Sequence, residues 1–156
     1  MNPYLYKTFI NNYENILQDI DLNFLRVLEN IKYNPATENI TSYKKNILEL
    51  FANEGFVMKY PINSTLLTIS GVKSDIGLQV QLGNAARFYA DMIKLQWFFD
   101  NNVIKYAVYV CFTKSAAKDS YADNLVNMDR CIRELKLFKE IISIPTVVVG
   151  LDYVDQ

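Results

Sequence analysis

The decapeptide DIGLQVQLGN, residues 75–84, decides how this chain is read. Its residues alternate at a period of about two, as a strand with one covered face does. It then runs into Gly83-Asn84, a sequence suited to opening a helix. Gln79 and Gln81 fall on the same strand face, one pleat apart. Two amides therefore stand at a strand end, where a metal-dependent enzyme would carry carboxylates.

Upstream the same period recurs. FVMKY at 56–60 and STLLTIS at 64–70 precede DIGLQVQL at 75–82, separated by Pro-Ile-Asn and Gly-Val-Lys-Ser turns, which predicts an antiparallel meander. Before it, Thr41 or Ser42 caps a helix carrying Ile47, Leu48, Leu50 and Phe51 and closed by Gly55. Tyr6, Phe9, Ile10, Tyr13, Ile16, Leu17 and Ile20 recur at helical spacing, and Leu25, Leu28 and Ile31 continue the stripe past Asp21, so two N-terminal helices are expected before about residue 40.

Downstream, Gly83-Asn84 opens a helix to about Asp100 that is apolar on most sides, from Ala85 and Phe88 to Trp97 and Phe98. IKYAVYVCF, 104–112, reads as a strand covered on both faces. A capping box at Ser120 to Asp123 leads a helix with Leu125, Met128, Ile132 and Leu135 inward, and IPTVVVGL, 144–151, supplies the last strand. The order predicts an α/β fold: one domain with a mixed central sheet, the meander plus further strands, flanked by helices.

Composition narrows the chemistry. With 156 residues, 51% hydrophobic and 21% charged, the chain is long enough for one well-buried core. No apolar run reaches a membrane span and no leader is evident, so a cytoplasmic protein without membrane contact is expected. Cys111 and Cys131 fit two free thiols packed in the core. The sequence has no histidine, which removes Ser-His-Asp and Cys-His catalysis and histidine-based zinc sites. A net charge of -1 gives no general argument for nucleic acid, although a local basic patch is compatible with it. Neither GxGxxG nor GxxxxGK[ST] occurs.

If 75–82 pairs with the strand before it, Ser70 lies across from Gln79 and Gln81. A Mg²⁺-dependent phosphodiesterase needs that geometry, with a carboxylate from one strand end, a second from its neighbour and a polar third group two residues on.

The run SGVKSDIGLQVQLGNAARFYADMIKLQ, 70–96, resembles the core of the PD-(D/E)XK restriction endonucleases of the BglII/BstYI type. VYVCFTKSAAK, NMDRCIRELKLFKEI and IPTVVVGLD are similar to that family's next strand, its Glu-Arg-bearing helix and its closing strand, and the likeness runs from about residue 41 to 152. The resemblance implies a restriction endonuclease-like fold, site-specific deoxyribonuclease ancestry and Mg²⁺. It also implies that Ser70 and Gln79 replace the family's Asp and Glu, whereas Gln81 matches its glutamine.

With both anions gone, no metal and no cofactor are expected, because neutral donors do not offset the dehydration of Mg²⁺. The alternative is an active Mg²⁺-dependent nuclease whose carboxylates have migrated to Glu49, Asp75 or Asp91. Asp75 shares the face of Gln79 but lies about 13 Å away along a strand. An aspartate at the place of Asp91 belongs to the family pattern already. Lys73, in the expected hairpin turn, and Arg87 and Lys114 are the candidate DNA contacts, with Lys44, Lys45, Lys94 and Lys118 also flanking the cleft in sequence. Arg130 is expected in a structural ion pair with Asp129. The reading is thus a catalytically impaired or inactive relative of a type II restriction endonuclease. It retains double-stranded DNA binding, or acts as a homodimer or through a protein partner.

Overall fold

The apolar run at 106–112 sets the architecture, since a strand with bulky apolar residues on both faces needs helices above and below it. The computed structural model describes residues 6–11, 20–31, 33–34, 36–119 and 124–152. In it β5 (Tyr106–Phe112) lies between two parallel neighbours, β4 (Ile76–Val80) and β6 (Thr146–Leu151). β4 folds back antiparallel onto β3 (Thr68–Lys73), and β3 onto β2 (Val57–Pro61). At the far edge β1 (Tyr6–Asn11) runs antiparallel to β6, giving a six-stranded sheet of order β1-β6-β5-β4-β3-β2. The parallel steps are crossed by α2 (Arg87–Asp100) and by α3 (Lys114–Asp119) with α4 (Met128–Leu137).

One sheet face packs Leu78, Val80, Val108, Val110, Val147 and Val149 against Tyr43, Ile47 and Phe51 of α1 (Ile40–Asn53). Phe24, Leu25 and Leu28 of the 3-10 helix Asn23–Asn30 complete that layer. The other face packs Ala107, Tyr109, Cys111 and Val148 against Phe88, Met92 and Leu95 of α2 and Cys131 and Leu135 of α4. The expected mixed sheet with helices on both faces is what forms. No helix among the described residues is long and apolar enough to cross a membrane.

Several local expectations are corrected. Residues 6–11 form a strand, with Tyr6 opposite Leu151 and Asn11 opposite Thr146, rather than the start of a helix. The open backbone edge of β6 offers a row of hydrogen bonds that outweighs the helical spacing of a few apolar residues. The remainder of that expected helix, 12–19, lies outside the described residues, and the second stripe becomes the 3-10 helix. Gly71, Val72 and Lys73 belong to β3, and the hairpin reverses over Ser74-Asp75 alone. Ser74 has φ +49°, the left-handed conformation such two-residue turns demand.

α1 is capped by Asn39, not by Thr41 or Ser42: the Asn39 side chain accepts the Ser42 N–H at 2.8 Å. Gly55 follows the helix at φ +97°, a conformation that favours glycine. α2 begins at Arg87, because Asn84 spends its side chain on the Ala86 N–H at 2.8 Å in a preceding turn. It is buried on one face rather than on most sides, with Tyr89 and Ile93 exposed. α4 is capped by Asn127; Ser120 to Asp123 lie outside the described residues and Leu125 precedes the helix. α3 was not signalled by any apolar period.

Arg130 pairs with Glu134, one turn on, at 2.9 Å instead of with Asp129. Cys111 and Cys131 are free and buried as expected, and burial pushes the Cys111 thiol well up, so it is an inert core group.

Replacing Asn39 with Ala removes the α1 cap and is expected to cost about 1 kcal/mol, whereas Thr41→Ala and Ser42→Ala leave stability nearly unchanged. Urea unfolding of the three variants checks the assignment.

Candidate active site

The β3/β4 register brings the strand ends together. Gly71 faces Leu78 in the ladder, so Ser70 falls opposite Gln79. The contacts agree: the Ser70 N–H donates to Gln79 Oε1 at 3.0 Å, and the Val80 N–H donates to Ser70 Oγ at 3.0 Å. Gln81, just past β4, accepts the Gly83 N–H on its own Oε1 at 3.1 Å. A backbone N–H can only donate, so each amide oxygen is fixed by the N–H it accepts, from the paired strand for Gln79 and from two residues on for Gln81, and each NH₂ must point the other way.

Both NH₂ groups meet Asp91, which α2 lowers onto the sheet one turn after Phe88. Gln79 Nε2 donates to Asp91 Oδ1 at 3.2 Å, and Gln81 Nε2 to Oδ2 at 2.7 Å. The Tyr109 hydroxyl adds a third donor to Oδ2 at 3.1 Å. Lys94, one turn along α2, brings its ammonium to 3.2 Å from Oδ1 and anchors it on the Thr68 carbonyl at 2.8 Å. Asp91 is 3% exposed, and its buried charge is compensated by that ammonium and by hydrogen bonds on both oxygens. The Tyr109 phenol is held well above its ordinary range, first by burial and then by the Asp91 carboxylate it faces.

These groups form the floor of a cavity of about 560 Å³ between α1 and α2, whose charged lining is Lys44, Lys45, Lys59, Arg87 and Lys94 against Glu49 and Asp91. Five cations against two carboxylates leave a net charge of +3 in a chain whose total is -1. Burial lowers the pKa of Lys44; nearby Asp91 opposes that shift, whereas Arg87 and Lys94 add to it. Among the described residues Lys44, Lys59 and Arg87 have no ion pair. Lys59 is held at φ +50° inside β2, a left-handed conformation that is costly for a lysine.

Of the residues singled out from the sequence, Ser70, Gln79, Gln81, Glu49, Asp91 and Arg87 line this one cavity. Glu49 is on its rim, exposed and 4.0 Å from Lys45. Asp75 lies at the opposite end of the hairpin, 3.4 Å from Lys105. Lys73 lines a second cavity beside Asp75, with its ammonium 6.0 Å from the Phe56 ring centroid. Lys114 is exposed at the start of α3 and does not line the cavity. Sequence reasoning missed Tyr109, read as core, although it is the ladder partner of Gln79 and so shares its face. It also missed Lys59, whose conformation leaves no signal in composition.

The donor set does not fit Mg²⁺. The ion needs anionic oxygens directed into one space, whereas here the two sheet positions present NH₂ groups and the one buried carboxylate is already engaged by three hydrogen bonds and an ammonium. Among the described residues no cluster of three or more Asp, Glu, Cys or His could hold a metal ion.

A mixed sheet whose hairpin end and following helix build such a polar floor, with helices on both faces, defines the restriction endonuclease-like nuclease fold. The chain belongs to the restriction endonuclease BglII/BglIII family, whose model matches residues 7–151. Among solved structures it is similar to the crystal structure of restriction endonuclease BglII complexed with a DNA 16-mer, at a TM-score of 0.74 and 14% identity, covering 96% of this chain and 80% of that one. The comparison with curated protein sequences finds no match.

In a Gln79→Glu variant two carboxylates would face each other where an amide now donates at 3.2 Å. The pKa of one of the pair should rise, so the variant is expected to lose about 1–3 kcal/mol at neutral pH. A group with a raised folded pKa favours the folded state at lower pH and loses that contribution as pH climbs through it. The deficit should therefore shrink between about pH 7 and pH 5, which thermal melts of variant and parent across that window test.

Proposed function

We propose that this chain is a catalytically silent member of its family that binds the phosphate backbone of double-stranded DNA without cutting it. One observation carries the reading: the Asp91 carboxylate is closed off by Gln79, Gln81, Tyr109 and Lys94. Hydrolysis of a phosphodiester in such a site calls for a metal to polarise the phosphate and generate hydroxide, and the amides direct donors into that space instead. Exchange of a carboxylate for an amide turns an acceptor into a donor at the same place. The site then satisfies itself.

What survives is the cationic wall. Lys44 and Arg87 stand over the cavity without a carboxylate partner of their own, a charge pattern that suits phosphate oxygens. The neighbouring BglII structure is a complex with DNA, which supports the same ligand class here. Backbone contacts of this kind give affinity without base readout. Sequence recognition is not part of the proposal.

Two experiments test it. In calorimetry and a plasmid-cleavage assay the parent chain should show neither Mg²⁺ binding nor cutting, while Ser70→Asp with Gln79→Glu gains measurable Mg²⁺ affinity; Mg²⁺-dependent cutting by the parent would establish the migrated-carboxylate alternative. In fluorescence anisotropy with a short duplex, affinity should fall steeply with salt, and Lys44→Ala and Arg87→Ala should each flatten the log-log salt slope by about 1. A slope unmoved by either change refutes the assigned contacts.

A further inference from the structure

The hairpin made by β2 and β3 carries three features that the polar floor does not explain. Its first strand holds Lys59 at φ +50°, facing the cavity. Interior strand positions do not call for that conformation, which is strained for lysine. Its loop ends in Leu66 and Leu67, 100% and 57% exposed. And that loop is pinned: the Thr65 hydroxyl donates to the Ile62 carbonyl at 2.7 Å and accepts the Leu67 N–H at 3.0 Å, while the Ile62 N–H closes on the Leu67 carbonyl at 2.8 Å. Two adjacent leucines are thus presented to solvent by a hydrogen-bonded loop.

The tip is continuous with the cationic cavity. Thr68, the residue after Leu67, lines it and gives its carbonyl to Lys94. A lysine at the base and an apolar tip beyond it match a duplex in two respects, a charged backbone and base steps that accept an apolar wedge.

Resting on the DNA-binding reading above, we propose that the β2–β3 hairpin is an arm for duplex DNA, in which Lys59 is turned onto a backbone phosphate and the Leu66-Leu67 tip enters between base pairs. The partner is a duplex without a hydrogen-bonded recognition sequence, entered at the base steps that unstack most easily. The strain at Lys59 is then the cost of aiming its ammonium. Relief of that strain should trade binding for stability.

The test uses the whole chain and a duplex containing 2-aminopurine. Binding by the parent should raise the probe's fluorescence as a step unstacks. Leu66→Ser with Leu67→Ser, both on the surface and therefore compatible with folding, should abolish that rise and weaken binding about tenfold, equivalent to about 1.4 kcal/mol, with the salt slope unchanged. Lys59→Gly should raise the melting temperature while reducing the salt slope by about 1.

Equal affinity and an undiminished fluorescence rise in the leucine variant overturn the proposal with DNA binding itself intact. If the parent binds no duplex at low salt, the reading on which it rests falls too. If the leucine change instead converts a dimer into a monomer at constant DNA affinity, the tip is an interface between copies and the proposal is wrong.

Discussion

A carboxylate inside the molecule, that of Asp91, constrains the elements around it. Left bare it would be among the most costly groups a protein interior can contain. Its neighbours come from four elements: Gln79 from β4 and Gln81 just beyond it, Tyr109 from β5, and Lys94 from α2 with the Thr68 carbonyl of β3 behind it. Removing any one donor leaves a buried charge short of a partner, so the depth and rotation of α2 on the sheet are tied to the register of three strands. The contact is polar, yet it fixes the packing of one of the two hydrophobic layers.

The amides decide what that arrangement can do. With backbone N–H groups engaging both glutamine oxygens, the orientation of each side chain is not free, and the inner surface is rich in donors. A site that presents donors and ammonium groups attracts anions and repels metal cations. This separates the two halves of a nuclease's work, holding a phosphate and attacking it. In the proposed reading the lining serves the first and not the second.

Much of this was legible in the sequence because it follows from alternation. Period-two stretches located β2 to β4 and unbroken apolar runs located β5 and β6, and pairing Ser70 with Gln79 required only that the hairpin close near Asp75. Three things were hidden for physical reasons. β1 is short, and its residues also satisfy a helical spacing until the edge of β6 supplies partners far away in the chain. The cap at Asn39 competed with two hydroxyl residues just downstream that suit the same role, and only geometry separates them. Tyr109 sits in an unbroken apolar run where both faces are covered, so alternation gives no hint that its hydroxyl reaches a carboxylate.

The pairing of β1 with β6 also bears on how the chain is made. Residues 6–11 have as ladder partners residues 146–151, which are synthesised long after them. Until β6 has been made the first strand has no edge to join, and the loop that its docking must close contains every element between the two strands. In co-translational folding β2 to β5 are available to pair before β1 has a partner, which makes β1 a late clasp on the sheet. Until then the outer edge of β6 is open to strands from other nascent chains, the window in which self-association by strand exchange is most favoured.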